Sequence, residues 1–158
     1  MDYFLFYRTA FPMQLNLPAF EHKLKDDKGK PYIFDVIRKK YVKLDPEEWV
    51  RQHFIHYLFS LSYPKSLIQV ERGHHYQKLQ KRTDIMVYDR AGKPFLLVEC
   101  KAPGVPLSSA TFRQAGIYNR TFEAPYLAIT NGLQHYFCGI DFKERKYQFL
   151  SALPDFPS

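Results

Sequence analysis

Apolar residues recur along this chain with two different periods, and each change of period marks an element. In YIFDVIRKKYVKL (Tyr32 to Leu44), two β-rich runs are separated by Arg38, Lys39 and Lys40, which reads as a hairpin. The polar KDDKGKPY before it reads as a turn. In DPEEWVRQHFIHYLFSL the period becomes helical: Trp49, Val50, His53, Phe54, Tyr57, Leu58 and Leu61 fall on one side. Asp45 is placed to cap that helix, Pro46 to open it, and Glu47 and Glu48 to complement its dipole in the first turn. SYPKS ends it. Strand-like runs follow in LIQVERGHH, TDIMVYD and PFLLVECK, with QKLQKR and DRAGK as connectors. LSSATFRQAGIYNRTF is a second helix with a serine cap, and PYLAIT, LQHYFCGIDF and YQFLSAL are three more strands joined at NG and KERK. The order is hairpin, helix, three strands, helix, three strands. It predicts an α/β domain with a mixed β-sheet flanked by helices, without an internal repeat.

Composition narrows the picture. A chain of 158 residues, 46% hydrophobic, is the size of one compact domain with one core. Its 14 Phe and 12 Tyr against 7 Gly argue against low complexity. Residues 13–158 are expected to form that domain. Met1 to Pro12 reads as an N-terminal extension, aromatic but without periodicity, and Met13 offers a second start. Lys and Arg number 23 against 16 Asp and Glu, a formal charge of +7, which favours an anionic partner such as nucleic acid. Cys100 and Cys138 make no disulfide framework, and no CxxC or HxxxH spacing suggests zinc. His74 and His75 read as a polar strand edge rather than a metal site. No apolar run approaches the roughly 20 residues of a membrane span, and the opening lacks the basic start of a signal peptide. A cytoplasmic protein without a membrane partner is the expectation.

One stretch carries chemistry. In LLVECKAPG, Glu99 and Lys101 point to one side of a strand while Val98 and Cys100 point to the other. If the DRAGKP turn is centred between Ala91 and Gly92, Tyr88 faces Phe95, Met86 faces Leu97, and Asp84 faces Glu99. Two carboxylates would then lie across from each other with Cβ atoms roughly 5 Å apart, a destabilising arrangement unless a cation intervenes. Mg²⁺ would satisfy the pair and keep sites open for phosphate. The apolar runs Met86 to Tyr88 and Leu96 to Val98 look too buried for idle charge, which argues against a solvated surface pair.

This pattern, Asp84 followed after fourteen residues by Glu99-x-Lys101, resembles the PD-(D/E)xK nuclease superfamily. In particular it resembles the N-terminal nuclease domain of type I restriction enzyme R subunits, and the resemblance runs from about Met13 to Leu153. It rests on KRTDIMVYDRAGKPFLLVECKAP, with PEEWVRQ upstream and RQAGIYN downstream. The resemblance implies a restriction-endonuclease-like core and a Mg²⁺- or Mn²⁺-dependent deoxyribonuclease. Asp84 and Glu99 would ligate the metal with the backbone carbonyl of Cys100. Lys101 would position the attacking water and stabilise charge on the phosphate. Either Glu47 or Glu48 would lend a further carboxylate, Glu47, four residues before Arg51, being the better match, with dipole compensation and a capping box from Asp45 as the rival role. Gln114 and Tyr118 form a Q-x-x-x-Y pair on one helical face. Lys78, Lys81, Arg82, Arg113 and Arg120 are the candidate phosphate-binding residues.

R subunits of this kind continue into an ATP-driven motor, whereas this sequence contains no GxxxxGK[ST] loop. The domain is expected to act on DNA alone, as a homodimer, or with a partner restriction or modification protein. The rival reading is a nucleic-acid-binding module that keeps the fold without turnover or needs a partner for it.

Overall fold

The computed structural model describes residues 13–70 and 84–158. Nine strands and two α-helices follow one another as β1 (Leu24–Asp27), β2 (Lys30–Asp35), β3 (Lys40–Lys43), α1 (Pro46–Ser60), β4 (Ile68–Val70), β5 (Ile85–Tyr88), β6 (Pro94–Cys100), α2 (Ser109–Asn119), β7 (Tyr126–Thr130), β8 (His135–Asp141) and β9 (Lys146–Leu150). The first three strands form an antiparallel meander, and the other six form one sheet in sequential order. All neighbours in that sheet are antiparallel except β6 and β7, which are parallel and joined through α2. A parallel pair requires such a crossover. The mixed sheet expected from the sequence is therefore present.

The N-terminal region departs from expectation. The turn expected in KDDKGKPY is confined to Lys28 and Gly29: Leu24–Asp27 pairs with β2 around them, so the hairpin is a three-stranded meander. All four residues of β1 are exposed, and an edge strand with both faces in water has no apolar alternation to reveal it.

α1 starts where its sequence says. The Asp45 carboxylate accepts the Glu48 backbone N–H at 2.7 Å, and Pro46 occupies the first turn. The reciprocal half of a capping box is missing because the Glu48 side chain is used elsewhere. Trp49, Val50, Phe54 and Leu58 are buried as expected, but Leu61 lies past the last turn and is exposed. Ser108 caps α2 in a reciprocal box with Thr111.

The large sheet separates two apolar clusters. On one face Val50, Phe54, Ile55 and Leu58 of α1 meet Ile85, Val87, Leu96, Val98 and Cys100, and Leu15, Ile33 and Leu44 from the N-terminal segment join them. On the other, Met86, Leu97, Leu127, Ile129 and Cys138 pack under Ala115 of α2. The β5–β6 register pairs Ile85 with Val98 and Met86 with Leu97, as the sequence predicts. A shift between Val87 and Tyr88 then pairs Tyr88 with Pro94 rather than Phe95. Among the described residues no helix is long and apolar enough to cross a membrane.

Candidate active site

Three elements bring acidic side chains to one end of the large sheet. Asp84 immediately precedes β5, Glu99 is the penultimate residue of β6, and Glu47 and Glu48 lie in the first turn of α1. Asp84 is buried, and each of its oxygens accepts one hydrogen bond: one from the Cys100 backbone N–H at 2.6 Å, the other from the Arg51 guanidinium at 2.6 Å. The register that aligns Ile85 with Val98 sets Asp84 one step further along, beside Glu99 and Cys100. Lys101 follows the strand, its backbone N–H donating to the Thr130 carbonyl at 2.8 Å. Its ammonium lies 3.0 Å from Glu99.

Arg51 is the hub that sequence reasoning missed. Its guanidinium reaches Asp84, Glu47 at 3.0 Å, and Glu48. Glu48 in turn holds Arg38, whose Nε lies 2.5 Å from Asp35, and Gln52 donates to Asp35 at 2.9 Å. Charges alternate along the path Asp35, Arg38, Glu48, Arg51, Asp84. A signal for part of this was available: Glu47 and Glu48 stand four and three residues before Arg51, the spacings at which helical side chains meet. The Asp35 and Arg38 end had no such signal, because Asp35 ends β2 and Arg38 lies in the turn after it.

The two glutamates of α1 separate by environment. Both oxygens of the buried Glu48 are taken by arginines. Glu47 is half-exposed, and burial followed by the charge of Asp84 pushes its carboxyl up. Glu99 responds more strongly: burial first, then the Asp84 charge, push it up to about 7 against the pull of Lys101. For Asp35, burial alone would raise the pKa, but the Arg38 backbone N–H and guanidinium outweigh it and hold the carboxyl below its usual range. Arg51 is held still more firmly protonated than an ordinary arginine, because Asp84 and Glu48 overcome its burial.

The donor chemistry fits a divalent cation bound by few side chains. Among the described residues no group of three or more His, Cys, Asp or Glu side chains is spaced to hold a metal ion. Mg²⁺ asks for less, one or two carboxylates with the remaining positions left to water. Each Asp84 oxygen retains a lone pair beyond its present hydrogen bond.

Of the other candidate residues, Tyr118 packs into the α2-side cluster against Phe122, and Gln114 is exposed one turn earlier. Neither is hydrogen-bonded to Asp84, Glu99 or Lys101 among the described residues. Arg113 and Arg120 are exposed on α2 and just after it. Lys78, Lys81 and Arg82, with His74, His75 and residues 1–12, lie outside the described residues. Cys100 and Cys138 are both free and buried.

No curated protein matches the chain. Among solved structures, a fragment described as an HsdR subunit of a type I restriction enzyme from Vibrio vulnificus YJ016 is similar at 25% identity, with a TM-score of 0.37. The match covers 56% of this chain and 17% of that one, so the chain spans about a sixth of that relative's length. A model of the type I restriction enzyme R protein N terminus matches residues 46–154. Those residues run from the start of α1 past the end of β9 and contain Asp84, Glu99, Lys101 and Arg51, and the chain belongs to that family.

Proposed function

We propose that this chain is a metal-dependent nuclease domain that hydrolyses DNA phosphodiesters, with Asp84, Glu99 and Lys101 at its centre. The observation that carries the reading is the partly buried Glu99 beside Asp84, with the Lys101 ammonium 3.0 Å away on the same side of the strand. Asp84, Glu99 and the Cys100 carbonyl would hold Mg²⁺ or Mn²⁺, with Glu47 rather than Glu48 as the further carboxylate. When bound, the ion supplies neutralising charge, Lewis acidity toward the phosphodiester and a lowered pKa for water. The Cys100 backbone N–H and Arg51 fix the Asp84 carboxylate so that it needs no reorganisation. Lys101 is held protonated by Glu99 and donates to the charge that grows on the phosphate oxygens. Arg113 and Arg120 contact flanking phosphates.

The test is cleavage of circular, linear duplex and single-stranded DNA in Mg²⁺ or Mn²⁺. Wild type should cut, and Asp84→Asn and Lys101→Met should each lose about 10²- to 10³-fold in rate. Equal cleavage by all three would refute the assignment. The Arg51 guanidinium on Asp84 favours one alternative, a nucleic-acid-binding module without turnover or one that gains it from a partner, such as another restriction subunit. Binding of DNA with no cleavage by wild type would select it.

A further inference from the structure

The outer end of the large sheet carries exposed aromatic rings that the site above does not use. Tyr136, Phe149 and Tyr147 are 46%, 55% and 63% exposed. They share the α2 face of the sheet, because Phe149 pairs with Cys138 and Tyr147 with Ile140, both on that side. Ring centroids follow one another at 6.5 Å from Tyr136 to Phe149 and 5.9 Å from Phe149 to Tyr147. Phe112 of α2 backs the last two at 5.4 and 5.5 Å. A hydrophobic protein surface left open in this way calls for an occupant.

Charge identifies the occupant. The stripe ends at a cleft of about 590 Å³ lined by Arg120, Arg145 and Lys146 with Asp141 as its one carboxylate. None of the three cations is in an ion pair among the described residues. The Asp141 side chain caps the β8–β9 turn by accepting the Glu144 backbone N–H at 2.9 Å. A second copy docking through the β9 edge would oppose these cations to their own counterparts. An anionic ligand with flat apolar faces satisfies both rings and cations, and unpaired nucleic-acid bases on a phosphate backbone are such a ligand. A duplex is not, since its base faces are stacked within it.

Register ties the stripe to Glu99. Glu99 pairs with Ile129 and Ile129 with Tyr136, so the first ring stands in the same cross-strand row as Glu99. Two strand spacings separate them, about 10 Å. We propose that Tyr136, Phe149 and Tyr147, with Arg120, Arg145 and Lys146, form a binding site for single-stranded nucleic acid that leads from the row of Glu99 to the outer edge of the sheet. Binding there is independent of cleavage; only the role of feeding a strand to Glu99 rests on the nuclease reading.

The test is fluorescence anisotropy with a labelled dT15 oligonucleotide in EDTA, where cleavage cannot contribute. Tyr147→Ala and Phe149→Ala should each weaken binding about tenfold, the size of one lost base stack. Arg145→Ala with Lys146→Ala should flatten the salt dependence by about 0.7 in log–log slope per cation. The variants should stay folded, the ring variants losing no more stability than their contacts with Phe112 and with each other supply, because these side chains are more than half exposed. Wild-type affinity in the ring variants would overturn the proposal. So would sedimentation showing a wild-type dimer that Phe149→Ala dissociates, which would give the stripe to a second copy. Failure of the nuclease reading would look different: intact oligonucleotide binding through the stripe with no cleavage in metal.

Discussion

Replacing Glu99 by Gln should make the metal-free protein more stable at alkaline pH, even though it removes a charged residue from the centre of the site. In the folded protein the Glu99 carboxyl titrates near 7 instead of its ordinary 4.5. At 1.36 kcal/mol per pH unit, that displacement corresponds to about 3 kcal/mol. Below about pH 4.5 the folded and unfolded chains both hold the proton, and the group costs nothing. Between about 4.5 and 7 the unfolded chain releases it while the folded chain keeps it, so stability falls as pH rises, and the loss is complete above the folded value. The Glu99 side chain is only 20% exposed, so solvent screening leaves most of the effect in place. The pull of Lys101 is already contained in that displacement, so only the partial exposure of the pair reduces it, by at most about 1 kcal/mol. At pH 8 in EDTA, Glu99→Gln should therefore exceed wild type by about 2 kcal/mol, and near pH 4.5 the advantage should vanish. Urea unfolding followed by the fluorescence of the single, buried Trp49 measures both. Titrating groups distant from Glu99 contribute equally to both proteins and cancel in the difference. Parallel stability curves for wild type and variant would refute the argument.

Removing Arg51 as Arg51→Met should cost about 3–5 kcal/mol in the same urea assay, because Asp84 is left buried without its cation and Glu48 keeps only Arg38. Gly132→Ala should lower stability by about 2 kcal/mol, readable as a fall in melting temperature. That glycine has φ +83°, which an alanine adopts only with strain, and its new Cβ would stand 2.9 Å from Leu15 and 3.1 Å from Val50.

What could be read from the sequence was what local rules govern. The α1 cap at Asp45, the α2 cap at Ser108 and the pairing of Met86 with Leu97 are set by residues within a few positions or by one tight turn. The bulge that moves Tyr88 opposite Pro94 is set by how the β5–β6 turn closes, and alternation alone cannot show it. β1 was missed because both of its faces are wet. In the site, the meeting of Asp84 with Glu99 followed from strand register, whereas the different surroundings of Glu47 and Glu48 did not. That difference depends on Arg38, brought in from a turn ten residues upstream, and no helical period encodes such a contact. The exposed rings of β8 and β9 read as ordinary strand residues until the edge position of β9 left them open.

The chain of alternating charge from Asp35 to Asp84 has a practical meaning for anyone cutting this protein into pieces. The family match begins at residue 46, yet Arg38, Ile33, Leu44 and Leu15 all lie before it. At the other end the Tyr63 hydroxyl donates to the Pro154 carbonyl at 2.5 Å, and Phe156, past the match, packs on Phe95. A fragment trimmed to the recognised limits would strip a guanidinium from buried Glu48 and take Leu15, Ile33 and Leu44 out of the core on the α1 face. The recognisable motif is thus smaller than the body that holds its shape, and the meander that precedes it behaves as a buttress for a carboxylate nearly fifty residues away in sequence.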